Sequence, residues 1–225
     1  MESDITDKFN KLSIKKKIQN GNMLIVDDPT IMKINVVQTV LMGNGQNCES
    51  VSKVLSYRNI LPTSREFMEL EKVFLKEKLL IESAKAVVNP YIKQSFELKR
   101  ICHYNDITPL LLYHGTKEKY VDSICTFNFN WRYSGFETGY KFGKGVNFSD
   151  KPTYSSMFCD KKKLKGVIIV ADVLIKTVAP GNPNFVLPPK GADTTIGKGT
   201  RVIVKFNDNE FCPKYVVRFV KKKGG

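Results

Sequence analysis

The stretch from residue 112 to residue 158 constrains the fold of this chain more than any other part. It holds one of the two histidines and the single tryptophan. An apolar run at 110–113 predicts a buried strand that ends in the sequence His-Gly-Thr. A Gly-Lys-Gly turn precedes a second predicted strand at 146–149, and Pro152 is typical of the first turn of a helix. The segment between the two strands is predicted to be a short helix followed by a polar, aromatic loop.

Three glycines in this stretch indicate a ligand site. A glycine lacks a Cβ atom, so a backbone can approach a ligand closely at Gly115, Gly143 and Gly145. This pattern favours a flat or phosphate-bearing ligand, but it does not identify one.

The remaining pattern predicts helices and strands within one domain. Thr63 and Glu66 form a capping box, so a helix is predicted over 63–80 with Phe67, Leu70 and Phe74 at helical spacing. A long buried strand is predicted over 166–178, because this segment is rich in Val and Ile.

The end of the chain is predicted to form a hairpin. Residues 179–196 carry most of the prolines and are expected to be a long surface connection. Alternating segments at 200–206 and 214–220, joined by a polar turn, predict two paired strands. Residues 1–30 are expected to be a weakly ordered lead-in, and 31–225 a single domain.

Composition favours an intracellular protein, either cytoplasmic or nuclear. The five cysteines show no zinc-site spacing, so no metal is expected, and reduced thiols are favoured. The amino terminus lacks the apolar run of a signal peptide, and the longest apolar run, 167–175, is too short to span a membrane.

The chain is strongly basic. A formal net charge of +14 makes nucleic acid a candidate partner. The lysines cluster at 15–17, 161–163 and 221–223, and such runs are more often solvated faces or tails.

Several motifs, in one order along the chain, resemble the catalytic domain of the poly(ADP-ribose) polymerase superfamily. They are Tyr113-His114-Gly115-Thr116, Asn128-Phe129-Asn130-Trp131-Arg132, Phe142-Gly143-Lys144-Gly145-Val146-Asn147-Phe148-Ser149 and Thr153-Tyr154-Ser155. The resemblance extends over roughly residues 55 to 220 and is strongest to the mono-ADP-ribosylating branch, which has CCCH zinc-finger and WWE relatives.

This resemblance implies an α+β fold in which two antiparallel sheets meet around an NAD cleft, with flanking helices. It also implies a reaction in which NAD is the substrate. The bond between nicotinamide and its ribose breaks, nicotinamide is released, and ADP-ribose passes to a protein acceptor.

The resemblance further implies a set of NAD-binding residues. His114 would bond the 2′-hydroxyl of the adenosine ribose, and the backbone of Gly115, followed by Thr116, would hold the nicotinamide carboxamide. Ser155 would add a third hydrogen bond to that carboxamide, and Phe158 would stack on the nicotinamide ring.

Three further positions belong to the same implied site. Tyr140 would form the adjoining wall, and Arg132 and Lys144 would bind the phosphates and the ribose edge of NAD.

The family uses a constellation of histidine, tyrosine and a third residue, and this chain keeps only the first. His114 is the histidine, whereas Asn147 stands at the tyrosine position and offers no aromatic face. Val202 falls at the third position, which is glutamate in polymer-forming members. Because valine cannot bind a ribose hydroxyl, single-unit transfer is expected rather than chain elongation.

Three interpretations remain open from the sequence. The first is an active mono-ADP-ribosyltransferase, and the second is a pseudoenzyme of the same fold that acts as a binding or scaffold module. The third is a basic nucleic-acid-binding protein with no NAD role, which only the charge supports.

Overall fold

The computed structural model describes residues 55–133, 140–160, 164–197 and 201–222. The predicted lead-in at 1–30 lies outside these residues, and so does the 31–54 part of the predicted domain.

A sheet of nine strands dominates the described residues. The strands are β1 (Ser56–Asn59), β2 (Leu79–Val88), β3 (Leu110–Thr116), β4 (Val146–Ser149), β5 (Lys165–Val173), β6 (Val178–Pro180), β7 (Thr194–Ile196), β8 (Val202–Lys205) and β9 (Phe211–Lys221). Their order across the sheet is β1-β2-β9-β5-β3-β4-β8-β7-β6. All the neighbouring pairs are antiparallel except β6 and β7, which are parallel.

Four helices accompany the sheet in the described ranges. They are α1 (Arg65–Lys76), α2 (Pro90–His103), α3 (Val121–Phe127) and the one-turn α4 (Pro152–Ser155). Short 3₁₀ turns lie at Glu118–Tyr120, Trp131–Tyr133 and Ser156–Phe158. The mixed content confirms the expected α+β class.

The expectation of two separate sheets is wrong. The strands β3 and β4 meet at the pair Tyr113 and Ser149, and this contact joins the β1-β2-β9-β5-β3 half to the β4-β8-β7-β6 half. A contact of one residue pair leaves no pattern in either strand, so the sequence could not reveal that the halves form one sheet.

Helix α1 begins and ends close to the predicted positions. The cap is Ser64, not Thr63, because the Ser64 hydroxyl accepts a hydrogen bond from the Phe67 N–H at 3.2 Å. The helix ends at Lys76, earlier than predicted, and Lys78 adopts a φ of 59° before the chain enters β2. Phe74 is fully buried and meets Tyr113 edge to face, with ring centroids 5.9 Å apart. Helix α1 thus covers one face of the sheet.

The predicted hairpin is also wrong. Strand β8 pairs with β4 and β7, whereas β9 pairs with β2 and β5. The turn between them therefore carries the chain from one half of the sheet to the other. Both strands have the alternating pattern of a half-buried strand, and alternation does not specify the partner. The connection predicted over 179–196 contains most of the short strand β6 and all of the short strand β7.

Helix α2 is anchored at its start. Asn89 caps it by accepting a hydrogen bond from the Ile92 N–H at 3.2 Å, and Pro90 occupies the first turn. The Asn89 side-chain amide also donates to the Cys125 carbonyl at 2.9 Å. One asparagine therefore ties α2 to α3.

Candidate functional site

Three of the elements that carry predicted site residues come together: β3 with His114 and Gly115, β4 with Asn147, and α4 with Ser155. The 146–149 strand has the predicted bounds, and Pro152 lies in the first turn of α4 as predicted. Strand β3 is longer than predicted because it continues through His114 and Gly115 to Thr116. Both residues are thus held by sheet pairing to β5, His114 opposite Ile169 and Gly115 opposite Ile168.

The His114 ring is fixed by one hydrogen bond and two aromatic contacts. Its Nδ1 atom lies 2.8 Å from the backbone carbonyl oxygen of Asn147. Its ring centroid lies 5.0 Å from that of Phe129 and 5.9 Å from that of Phe148, both edge to face. Because a carbonyl can only accept, Nδ1 carries the proton in this contact.

Burial lowers the pKa of His114, and the hydrogen bond to Asn147 acts weakly in the opposite direction. The imidazole is therefore neutral at neutral pH. With the proton on Nδ1, the Nε2 atom has a free lone pair and can accept a hydrogen bond from a hydroxyl group.

Gly115 is required for the close packing of β3 on α4. A Cβ atom at this position would lie 1.8 Å from the Ser155 carbonyl oxygen. The Ser155 side chain is 2% exposed, and its hydroxyl donates to the Tyr113 carbonyl oxygen at 2.9 Å. The hydroxyl proton is thus engaged, and the Ser155 oxygen remains able to accept a donor.

The hydrogen bond from the Ser155 hydroxyl to the Tyr113 carbonyl shows which way the N–H and C=O groups of Gly115 point. Along an antiparallel strand, the N–H and C=O groups of residues i and i+2 point to the same edge. The Tyr113 carbonyl points to the edge beside α4, where Ser155 donates to it. Gly115 therefore directs its N–H and C=O to that edge. In the described residues, the β4 pairing stops at Tyr113 and does not reach Gly115.

Phe158 and Tyr154 form an aromatic pair on the α4 side. Phe158 is 38% exposed, and its ring centroid lies 5.6 Å from that of Tyr154 at an interplanar angle of 54°. Phe158 is therefore partly accessible, in the 3₁₀ turn that follows Ser155 and contacts β3. An exposed aromatic ring next to directed backbone polar groups suits a flat ligand.

Asn147 and Val202 lie on the same face of the β4–β8 pair. Asn147 is opposite Val204, and Ser149 is opposite Val202, so the four side chains share one side. Val202 is 7% exposed and packs in a cluster with Val204 and Phe206. Val202 is therefore part of an apolar surface, and its predicted role as the third residue of the site stays a prediction.

The turn before β4 is fixed by protein contacts. Gly143 has a φ of 126°, and a Cβ atom there would lie 2.5 Å from the Phe206 ring. Phe206 fills the space on the Cβ side of Gly143, so packing within the protein already requires a glycine here, and the predicted ligand approach stays a prediction. The Lys144 ammonium lies 4.9 Å from the centroid of the Tyr140 ring, which is 37% exposed.

Thr116 and Arg132 are less directly placed for ligand contact. Thr116 is buried and opposite Val167 in the sheet. Arg132 is exposed, stacks over the Trp131 ring at 4.6 Å, and lies 3.4 Å from Asp208. The structure brings His114, Gly115, Ser155 and Phe158 to one place, whereas it gives no contact between Arg132 and these residues.

Two features of this region have no role predicted from the sequence. Tyr154 packs against the Val202 cluster and contacts Phe158, and its place directly before Ser155 is the available signal. Lys205 is fully buried, with its ammonium 2.7 Å from Asp193 and 3.0 Å from Glu210. A lysine on an otherwise apolar strand is the signal for that ion cluster.

Membrane-spanning helices and metal-binding clusters are both absent from the described residues. No helix there combines the length and the apolar character needed to cross a membrane. In the same part of the chain, no group of three or more His, Cys, Asp or Glu side chains could hold a metal ion.

Comparison of the sequence with known proteins identifies one family and several relatives. Residues 60–219 match the sequence model of the poly(ADP-ribose) polymerase catalytic domain. The human protein mono-ADP-ribosyltransferase PARP11 is 27% identical over 158 residues, which cover 57% of this chain and 46% of that protein. Human protein mono-ADP-ribosyltransferase PARP12 is 30% identical over 117 residues, 48% of this chain and 16% of that protein. The chain thus spans less than half the length of either relative.

Proposed function

We propose, on the premise that this chain belongs to the poly(ADP-ribose) polymerase catalytic domain family, that it is an NAD-dependent mono-ADP-ribosyltransferase. It transfers one ADP-ribose unit from NAD to a protein acceptor and releases nicotinamide. The relatives PARP11 and PARP12 are named as protein mono-ADP-ribosyltransferases, which supports the single-unit reaction.

The observation that carries this proposal is the state of His114. Its Nδ1–H donates to the Asn147 carbonyl, and burial keeps the imidazole neutral. The Nε2 lone pair is then ready to accept a hydrogen bond from the 2′-hydroxyl of the adenosine ribose. Since the contact is made to backbone, the loss of the family tyrosine at Asn147 leaves this histidine in place.

The nicotinamide end is assigned to Gly115, Ser155 and Phe158. The Gly115 N–H can donate to the carboxamide oxygen, and its C=O can accept from the carboxamide nitrogen. The Ser155 oxygen can accept a further N–H, and the accessible face of Phe158 can stack on the pyridine ring. These groups orient the leaving nicotinamide and hold it in one plane.

The reaction needs orientation more than acid–base chemistry. NAD supplies an activated leaving group, because nicotinamide departs as a neutral molecule and takes the electrons of the glycosidic bond. The contacts to the adenosine ribose and to the nicotinamide fix both ends of the dinucleotide. An acceptor carboxylate or thiol can then attack the ribose carbon in line. Val202 offers no carboxylate to activate a ribose hydroxyl, so the acceptor supplies its own nucleophile and the product stops at one unit.

Mass spectrometry of the protein and a mixed acceptor pool after incubation with NAD tests this proposal. The expected products carry single ADP-ribose units. Polymeric products would contradict the assignment of Val202. Bound NAD without any product or any nicotinamide release would instead establish the pseudoenzyme, the alternative that Asn147 leaves open.

A nucleic-acid partner is a second proposal, supported by lysines at one end of the sheet. Strands β2 and β5 begin at this end of the sheet, and β9 ends there. Leu79 is paired with Lys221, and Lys165 is paired with Val220. The Lys222 N–H donates to the Lys78 carbonyl at 3.1 Å, which adds two more lysines to this end. Intracellular location, cytoplasmic or nuclear, agrees with such a partner and is proposed with it.

Salt dependence tests the nucleic-acid proposal. Binding of a single-stranded oligonucleotide should weaken steeply with salt, and the variant Lys221→Glu/Lys222→Glu should bind less tightly with a shallower slope. The variant Lys176→Glu/Lys190→Glu changes the net charge equally at exposed positions elsewhere. Equal loss in both variants would reject the proposed surface in favour of general charge attraction.

A further inference from the structure

We infer that Tyr154 is a positioning residue of the nicotinamide subsite, providing the aromatic wall that Asn147 lacks. This inference rests on the proposed function, since it assigns a residue to the same site. The family resemblance places Tyr154 in a motif but gives it no role, so the assignment depends on its contacts in this chain.

Tyr154 connects the two sides of the site. On one side, its ring lies 5.6 Å from the ring of Phe158, at 54° to it. On the other side, it packs against the cluster of Val202, Val204 and Phe206. The next residue in the chain is Ser155, whose hydroxyl and carbonyl contact β3. The backbone of Tyr154 is therefore held firmly, and its half-buried ring lies between Phe158 and Val202.

The cluster of Val202, Val204 and Phe206 lies beside Asn147. Asn147 is directly opposite Val204 in the β4–β8 pair, which places the two Cβ atoms about 5 Å apart on one face. Tyr154 packs on this face, because Val202 and Val204 both belong to it. A tyrosine at 147 would add a ring at this face, whereas asparagine adds none, and Tyr154 is an aromatic residue that packs against the same cluster.

The tilt of the aromatic pair suits the enclosure of a flat ring. A pyridine ring stacked on Phe158 would present its edge toward Tyr154, since the two side chains are inclined to each other by 54°. Edge-to-face contact is a favourable aromatic arrangement. Phe158 and Tyr154 together would thus fix the plane and one edge of nicotinamide.

The binding of nicotinamide, compared with the binding of ADP-ribose, distinguishes this role from a merely structural one. Nicotinamide contains the ring that Tyr154 would contact, whereas ADP-ribose lacks it. We expect Tyr154→Ala to weaken nicotinamide binding about three- to tenfold, the range of an aromatic pair. Binding of ADP-ribose, measured by calorimetry on the same preparation, should change by less than twofold. Tyr154→Phe should retain wild-type affinity for both, and Tyr154→Leu should lose the nicotinamide affinity while filling similar space.

Asn147→Tyr provides a compensating change. In the Tyr154→Ala background it should restore most of the nicotinamide affinity, whereas in the wild-type background it should change that affinity by less than twofold. Such non-additivity is the sign of two residues that serve one contact.

Each outcome decides the inference. It is overturned if Tyr154→Ala leaves nicotinamide binding unchanged, if ADP-ribose binding falls equally, or if the wild-type protein binds no nicotinamide. Failure of the proposed function looks different: the wild-type protein would bind nicotinamide in a Tyr154-dependent way but transfer no ADP-ribose.

Discussion

The Nδ1 atom of His114 lies 2.8 Å from the backbone carbonyl oxygen of Asn147, so the histidine is oriented by a group that every amino acid possesses. The side chain at 147 can therefore change from tyrosine to asparagine without releasing the ring. Two aromatic neighbours, Phe129 and Phe148, hold the imidazole from other directions. The position of His114 therefore does not depend on which side chain stands at residue 147.

The pH dependence of stability should reveal the neutral state of His114. Its pKa is lowered in the folded protein, so between the unfolded and folded pKa values the unfolded chain binds more protons. The stability is complete above the unfolded value, about 6.5, and falls as the pH decreases toward the folded value. Urea unfolding of wild type and His114→Gln at several pH values between about 5 and 7.5 measures this effect.

His114→Gln should show a smaller loss of stability on acidification than the wild type. His103 is the matched control, since it is the other histidine and lies exposed at the end of α2. His103→Gln should retain the wild-type pH dependence. Identical profiles for wild type and His114→Gln would show that the imidazole is not held neutral by burial.

Gly115→Ala should disrupt the packing of β3 on α4. The added methyl group would lie 1.8 Å from the Ser155 carbonyl oxygen, which belongs to backbone and cannot simply rotate away. We expect a loss of about 1–3 kcal/mol in the free energy of unfolding, together with loss of nicotinamide binding. Denaturant unfolding and calorimetry measure the two effects.

Gly191→Ala is a useful comparison for that substitution. Among the described residues, no atom outside Gly191 and its two chain neighbours lies within 4 Å of the added methyl group, although the φ of 86° disfavours alanine. It should cost about 1 kcal/mol, the strain of the backbone alone, and leave nicotinamide binding intact. Equal effects of the two variants on binding would argue against a special role of Gly115.

Lys205→Met should destabilise the protein strongly. The Lys205 ammonium is fully buried and lies 2.7 Å from Asp193, 3.0 Å from Glu210 and 2.9 Å from the Thr194 hydroxyl. Removing it leaves two carboxylates near each other without their cation, which typically costs about 3–5 kcal/mol. The urea midpoint should fall accordingly.

Acid should weaken the same ion cluster. Burial raises the pKa of Asp193, but the hydrogen bonds from Lys205 and from the Thr177 N–H outweigh it, and the pKa is lowered overall. The stability from Asp193 is present above its unfolded pKa and is lost as the pH falls through the folded value.

Lys176→Met, at an exposed lysine, should change stability by less than about 0.5 kcal/mol. A similarly small effect of Lys205→Met would mean that the buried pairs contribute no net stability.

The local elements around the site could be predicted because their signals are local. Pro152 and the apolar run at 146–149 were sufficient to define α4 and β4. The order of the motifs was sufficient to predict the family, and that prediction is confirmed by the match over residues 60–219. The roles of His114, Asn147, Val202 and the other site residues stay predictions until ligand binding is measured.

The pairing of distant strands could not be predicted, because it depends on contacts between segments far apart in sequence. The 206–210 turn is polar and resembles a hairpin loop, yet its Glu210 is 4% exposed and belongs to the Lys205 ion cluster. The turn is therefore a crossing between two halves of the sheet, exposed in its middle and anchored by the buried Glu210 at its end. The role of Tyr154 could not be predicted for the same reason, since the cluster against which it packs begins 48 positions later in the chain, at Val202.

Transfer from labelled NAD tests the central claim most directly. The purified protein is incubated with NAD labelled in the adenosine part, and both protein labelling and nicotinamide release are followed over time. His114→Ala and His103→Ala are measured beside the wild type. We predict single-unit labelling with matching nicotinamide release for wild type and His103→Ala, and neither for His114→Ala. Equal labelling of His114→Ala and wild type would contradict the account.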